Sequence, residues 1–301
     1  MATFVPGAPR RRTIDLQSAA GAGPMAGIDF GPPERPLDVV FLHANGFNAM
    51  TYRQIFEPLG TGLRILAIDQ RGHGRSELEA EPQGHSWRRY ADDLLALLDA
   101  LGETPRVLAG HSMGGTAILL ALPRMPAEAV PGVVLFDPVL RLPEDRPDEA
   151  TMTASPLVRG ATRRNASFAS RAAALESYRG RGAFKTWPDA MIEDYLVDGL
   201  EPSADGAVTL SCAPDWEAAN FVTTYRLDAL PALRQPRGAV RILRAEHEST
   251  CALGPDTEAW GGHSRVRIET VPGTTHFLPI ERPEVVRGAL REAVLTAAPR
   301  R

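Results

Sequence analysis

Ser112 lies at the centre of Gly110-His111-Ser112-Met113-Gly114, a G-x-S-x-G pattern with Gly115 directly behind it. Glycines two positions either side of a serine suit a tight turn in which the flanking backbones approach closely, and such a turn lifts the hydroxyl clear of its surroundings. The chemistry this favours is nucleophilic attack by the serine oxygen. Alone the pattern is weak: in a chain with 27 glycines, chance supplies roughly 0.1–0.2 matches. Its position gives it weight. Arg106-Val107-Leu108-Ala109 reads as a strand and Met113 to Leu122 as a helix, so the serine falls on a strand-to-helix turn. The Met113 N–H, at the start of that helix, is then aimed at a developing oxyanion.

The elements that must hold this turn are visible as short apolar runs alternating with helical patterns, which argues for parallel βαβ units and a sheet covered on both faces. Leu37 to Leu42 is a strand running into a polar turn at His43, and Leu63 to Ile68 is a strand ending at Asp69. Ser86 is placed to cap a helix with apolar positions Trp87, Tyr90, Leu94, Leu97, Leu98 and Leu101, stopped by Gly102. Val133 to Phe136 is the fourth strand. The rhythm breaks from about Arg141 to Leu233, where helical pieces such as 163–179 and 188–198 stand between glycines and prolines and no clear strand appears. It resumes with strands at Ala239 to Leu243 and Val266 to Val271 and a closing helix from Pro283 to about Ala297. Arg12 to Leu16 and Met25 to Phe30 suit an antiparallel leading hairpin, and 1–12 reads as a flexible arm. The division expected is a catalytic core at 1–140 and 235–301 with a helical cap inserted at 141–234.

Composition narrows the partners. At 301 residues, with 44% hydrophobic and 23% charged residues, the chain sits near soluble globular averages. A net charge of −4, mixed along the sequence, argues against a nucleic-acid surface. No run of 18 apolar residues spans a membrane, and the polar segment after Arg10-Arg11-Arg12 does not fit an export signal. Cys212 and Cys251 match neither a disulfide framework nor a zinc pattern, and read as buried thiols in a reducing cytoplasm.

Four segments, in order, resemble the α/β-hydrolase family, and the resemblance covers most of 37–140 and 235–298. His43-Ala44-Asn45-Gly46-Phe47 resembles its His-Gly oxyanion loop, and Asp69 to Ser76 resembles its D-x-R-G-x-G-x-S turn. Gly110 to Gly115 resembles its nucleophile elbow, and Gly273 to Pro283 resembles the terminal G-x-x-H-F-x-x-x-E-x-P segment. The resemblance implies a mostly parallel central sheet with helices on both faces and an inserted helical cap. It also implies a Ser-acid-His triad in chain order. A serine hydroxyl needs an imidazole to take its proton, and of seven histidines His276 alone lies in a loop after a strand near the C-terminus. His43, His73 and His111, inside loop motifs, are expected to pack and hydrogen-bond.

Two parts of the site stay open at this level. For the acid, Glu248 occupies the family's usual position after the strand that follows the cap, while Asp137 stands at the end of the preceding strand, where some members carry it; Glu246 is a third option. For the second oxyanion donor, Ala44 replaces the family's usual glycine, so the Asn45 N–H is the first choice and the Ala44 N–H the reserve. Trp216, within Asp215-Trp216-Glu217, and Phe47 are expected to meet substrate. The implied activity is hydrolysis of an ester, thioester or lactone of a small, partly apolar molecule by a monomer or homodimer. No metal or organic cofactor is implied. Carbon–carbon bond hydrolysis, acyl transfer, cofactor-free perhydrolysis and a non-catalytic ligand-binding role on the same fold are the alternatives.

Overall fold

The computed structural model describes residues 8–126, 131–204, 206–256 and 258–297. Its first part runs through β1 (Arg10–Ser18), β2 (Gly21–Phe30), β3 (Val39–Leu42), α1 (Arg53–Phe56), β4 (Ile65–Ile68), α2 (Arg88–Leu101), β5 (Val107–His111), α3 (Met113–Ala121) and β6 (Gly132–Phe136). An inserted segment follows, with α4 (Glu149–Thr153), α5 (Pro156–Thr162), β7 (Ser167–Phe168), α6 (Arg171–Tyr178), α7 (Asp189–Gly199), β8 (Leu200–Pro202), β9 (Val208–Leu210), α8 (Pro214–Val222) and α9 (Leu230–Arg234). The chain closes with β10 (Val240–Ala245), β11 (Val266–Val271), α10 (Leu278–Glu281) and α11 (Pro283–Thr296).

Eight strands form one sheet in the order β1-β2-β4-β3-β5-β6-β10-β11. From β4 to β11 all neighbours are parallel, while β1 and β2 join as an antiparallel hairpin. The unbroken apolar runs of β3, β4 and β5 are buried throughout because helices cover both faces. β1 instead alternates, burying Ile14 and Leu16 while Arg11, Thr13, Asp15 and Gln17 are exposed, as suits an edge strand that must stay unpaired. Helix α2 buries Tyr90, Ala91, Leu94 and Leu97 at helical spacing and ends at Gly102 in the left-handed conformation.

Three sequence expectations change. Arg10 to Arg12 belong to β1 rather than to an arm, because their backbone pairs with Gly27 to Asp29; the rest of the expected arm, up to residue 7, lies outside the described residues. The helix expected over 163–179 starts only at Arg171, where the Ser170 hydroxyl accepts from the Ala173 N–H. Upstream of it Ser167 and Phe168 pair with β9. That pairing is part of a three-stranded antiparallel sheet, β7-β9-β8, within a segment expected to be wholly helical. Its strands are two or three residues long, below the length at which periodicity can be read.

Helix α8 is pinned to the first part of the chain by buried polar groups. Trp216 Nε1–H donates to the Arg71 carbonyl (3.1 Å), and the indole fills space left by Gly72, where any Cβ would lie 2.2 Å from the ring nitrogen. Asn220 Oδ1 accepts from His85 Nε2–H and Tyr90 Oη–H, both at 2.8 Å, its Nδ2 donates to the Trp216 carbonyl, and its carbonyl accepts from Trp87 Nε1–H. Removing this side chain strands two buried donors, each costing on the order of 1–3 kcal/mol. Asn220→Ala is therefore expected to lose about 2–4 kcal/mol, read as a lower urea midpoint at unchanged slope. A midpoint within error of the parent would show that α8 is not held this way.

Candidate active site

In an open parallel sheet, ligands bind beyond the carboxyl ends of the strands. Here the loop at 43–48 follows β3, Ser112 follows β5, Asp137 follows β6, and the loop carrying His276 follows β11. The topology thus gathers residues up to 164 positions apart.

Ser112 sits at φ 52°, ψ −116°, outside the comfortable regions for a side-chain-bearing residue. Its N–H donates to the Phe136 carbonyl (3.0 Å). The turn closes only because its glycines lack side chains: a Cβ on Gly114 would lie 2.3 Å from the Leu42 carbonyl oxygen, and one on Gly110 2.6 Å from the Gly114 backbone. The result is a hydroxyl held at the head of α3.

Ser112 Oγ and His276 Nε2 are 3.0 Å apart, and His276 Nδ1 is 2.7 Å from Asp137 Oδ2. With Nδ1–H donating to the carboxylate, Nε2 is left to accept the serine proton. Asp137 is fully buried and itself adopts φ 43°. Its Oδ1 accepts from the Ala245 N–H and the Ser249 hydroxyl, and its Oδ2 accepts from the Thr250 N–H as well as from the imidazole. Burial alone would raise its pKa. The hydrogen bond and charge of His276, with the bonds from Ser249 and Ala245, outweigh that and hold it below the ordinary carboxylate value.

Of the acids offered by the sequence, Asp137 therefore meets the imidazole, and Glu248 and Glu246 do not. Glu248 is exposed on the cavity wall at φ 52° with no hydrogen bond among the described residues, and Glu246 accepts from the Gly273 N–H. The loop after β10 is turned to another use, because Ser249 and Thr250 bond the Asp137 carboxylate. Those two residues went unnoticed in the sequence, where nothing marks a hydroxyl as a partner of a distant acid.

The oxyanion loop resolves in a similar way. The Ala44 N–H is taken up by Tyr52 Oη (3.2 Å), whereas the Asn45 N–H has no acceptor among the described residues. The Met113 N–H opens α3 and has no intrahelical acceptor. Histidines brace this region, as expected. His43 Nδ1–H donates to the Ala44 carbonyl while its Nε2 accepts from the Gln70 N–H, and His73 Nε2 accepts from the Gly46 N–H. His111 Nδ1 accepts from Tyr52 Oη–H and its Nε2–H donates to the His276 carbonyl (2.9 Å). A continuous path of hydrogen bonds thus joins the Ala44 N–H to the backbone of His276 through Tyr52, a residue the sequence did not single out.

Ser112 and His276 open on a cavity of about 650 Å³ whose wall is mostly apolar. Phe47 lines it beside Phe184, Phe221 and Phe277. Trp216 does not. It is turned into the interior against Gly72 and His85, and the neighbouring Glu217 faces the cavity instead, with Arg164, Tyr178 and Tyr195. Among the described residues no cluster of His, Cys, Asp and Glu could hold a metal ion, and no helix is long and apolar enough to cross a membrane.

Residues 39–289 match the family profile described as "Alpha/beta hydrolase family". The chain belongs to the alpha/beta hydrolase family, and its relatives support hydrolase activity. It is 26% identical over 259 residues to 2-(acetamidomethylene)succinate hydrolase of Mesorhizobium japonicum, covering 84% of this chain and 86% of that protein. It is 34% identical over 124 residues to a bifunctional esterase/perhydrolase of Acinetobacter calcoaceticus, a match spanning 40% of this chain and only 44% of the relative. Among solved structures, E-2-(acetamidomethylene)succinate hydrolase superposes with a TM-score of 0.75 at 24% identity, covering 96% of this chain and 100% of that one. A thioesterase domain from the curacin biosynthetic pathway does so at 0.75 and 17% identity, covering 94% and 99%. At these identities the structural likeness speaks for the fold.

Two predictions follow from the geometry. Asp137→Asn should lower kcat on an ester substrate by about three to four orders of magnitude, as expected when an imidazole loses the acceptor that fixes its tautomer. Glu248→Gln should stay within about tenfold of the parent. The reverse ranking would transfer the acid to Glu248. The second concerns acid stability. Burial lowers the pKa of His43 well below 6.5, of His73 and His85 to about 4, and of His111 to about 3. These rings stay neutral in the folded chain while the unfolded chain protonates near 6.5. The share of stability that these rings carry is then full above about pH 6.5 and falls as the pH drops toward the folded values, by up to about 1.4 kcal/mol per pH unit for each ring, while Asp69, raised to about 7 by burial, contributes in the opposite sense. Urea midpoints at pH 7.5 and 5.0 measure this. Equal midpoints would mean that the rings take up protons without unfolding.

Proposed function

We propose that the protein is a serine hydrolase cleaving an ester or related acyl bond of a small, partly apolar molecule through an acyl-enzyme. The observation that carries the reading is the unbroken path from Ser112 Oγ to His276 Nε2 (3.0 Å) and from His276 Nδ1 to a buried, hydrogen-bonded Asp137 (2.7 Å).

Ser112 Oγ bonds to the substrate carbonyl carbon as His276 Nε2 takes the hydroxyl proton, and Asp137 stabilises the imidazolium that forms. The carbonyl oxygen becomes an oxyanion received by the Met113 and Asn45 N–H groups, each such donor being worth roughly 3 kcal/mol of barrier. Collapse expels the alcohol or thiol, which leaves with the proton from His276. Water, deprotonated by the same imidazole, then attacks the acyl-enzyme, and the serine leaves with the proton returned from His276 as the acid is released. The apolar wall suits a carbon chain or ring next to the scissile group. Action on an acyl substrate agrees with the printed names of the Acinetobacter esterase/perhydrolase and the Mesorhizobium succinate-derivative hydrolase. A soluble, cytoplasmic chain needing no metal or organic cofactor completes the reading, with its inserted segment at 141–234 acting as the cap over the acyl pocket.

A fluorophosphonate probe is expected to label the wild-type protein at Ser112 and leave Ser112→Ala unlabelled. With p-nitrophenyl esters of graded chain length, Ser112→Ala should keep below about 1% of wild-type turnover. A folded wild-type protein that takes no label would instead point to a ligand-binding role.

A further inference from the structure

The cavity wall contains one polar cluster that the acyl-transfer chemistry does not use. Arg164, just beyond α5, projects into the cavity with its side chain 17% exposed. Its Nη1 donates to Glu217 Oε2 (2.9 Å), and its Nη2 donates to the hydroxyls of Tyr178 (3.2 Å) and Tyr195 (2.5 Å). The guanidinium carbon lies 5.4 Å and 5.9 Å from the centroids of those two rings, so the cation is held between them.

Counting donors and acceptors shows what is missing. A guanidinium has five N–H groups, and the Arg164 Nε–H makes no hydrogen bond among the described residues. Both tyrosine hydroxyls accept from Arg164, and neither gives its own proton to any described acceptor. The cluster therefore presents several convergent donors and spends one carboxylate, Glu217, on holding the arginine in place. Leaving such donors unpaired in an apolar cavity is costly, and the group that satisfies them at once is a second acceptor with two oxygens.

The charge of the wall agrees. Arg141, Arg164 and Arg181 line the cavity against Glu217 and Glu248, a net excess of one positive charge in a chain whose net charge is −4. Arg141 and Arg181 form no ion pair among the described residues. Such an excess of positive charge within low-dielectric walls favours anionic ligands.

We infer that the substrate carries a carboxylate remote from the scissile bond, and that Arg164 with Tyr178 and Tyr195 is its anchor. Favoured substrates are then acyl compounds with one apolar stretch between a cleavable carbonyl and a terminal carboxylate, such as monoesters of dicarboxylic acids. This rests on the serine-hydrolase reading for the position of the cleavable carbonyl, but it is tested by binding, without turnover.

The test titrates the Ser112→Ala protein calorimetrically with monomethyl esters of linear dicarboxylic acids of four to eight carbons, and with the matching dimethyl esters. At least one chain length should bind about 10- to 100-fold more tightly as the anion, the range typical of charge-assisted hydrogen bonds. The preference should shrink as salt is added. Adding Arg164→Gln together with Glu217→Gln, which avoids an orphaned carboxylate, should abolish the preference while dimethyl-ester affinity is kept. Tyr195→Phe and Tyr178→Phe, which remove only hydroxyls, should each reduce it severalfold and decide the matter if the double change does not fold. No preference for the anion at any chain length, or a preference that survives both the arginine change and the tyrosine changes, overturns the inference. Fluorophosphonate labelling of the wild type is unaffected by either result, so the hydrolase reading fails or stands separately.

Discussion

The geometry of the site depends on keeping one carboxylate ionised where water cannot reach it. Asp137 has no exposed surface, and an isolated buried anion would protonate rather than persist. Donors from three directions prevent that: the Ala245 N–H at the end of β10, the Ser249 hydroxyl with the Thr250 N–H in the next loop, and His276 Nδ1–H after β11. Only with the carboxylate fixed is the imidazole fixed, and only then does Nε2 face Ser112 as an acceptor. Part of the folding free energy of β10 and the loop behind it is thus committed to the orientation of a ring contributed by another loop.

The same economy of placement explains why strained backbone collects here. Among the described residues three non-glycine positions have positive φ: Ser112, Asp137 and Glu248. All three lie where a strand gives way to a loop at the carboxyl edge of the sheet, and two of them belong to the hydrogen-bonded path. Such conformations cost about 1–3 kcal/mol each and persist when their surroundings over-determine them. For Ser112 the surroundings are the packed backbones of Gly110, Gly114 and Leu42, and for Asp137 they are its four donors. Glu248 has no comparable restraint on its side chain, although the residues immediately after it in the loop bond Asp137.

Much of this was legible in the sequence because the decisive signals are local. The G-x-S-x-G turn needs neighbours two residues away, and the apolar runs of β3, β4 and β5 need only their own burial, so Ser112 and the central sheet could be read directly. His276 followed from the motif around it. The acid could not be fixed, since Asp137 and Glu248 stand at the ends of adjacent parallel strands, β6 and β10, and either could approach a residue after β11. What separates them is the supply of donors, and those come from residues more than a hundred positions away from Asp137. Trp216 is ambiguous in the sequence for a related reason. An aromatic beside two acids suits a pocket wall and a buried anchor equally well, and its direction was decided by the absent side chain of Gly72, a contact across 144 residues that no period in the sequence encodes.

The anchoring of Trp216 also determines how the cavity is built. Because Trp216 and Asn220 lock α8 onto Arg71, His85, Trp87 and Tyr90, the Glu217 between them is carried on a fixed element. The Glu217 carbonyl also accepts from Asn45 Nδ2 (3.0 Å), so the helix grips the loop that follows β3. Arg164, held by the Glu217 carboxylate, is therefore referenced through one short helix to the same frame as the loop at 43–48. On the other side α5 meets α8 through an apolar patch of Val158, Ala161 and Ala218, with Phe221 and Val222 packed against it.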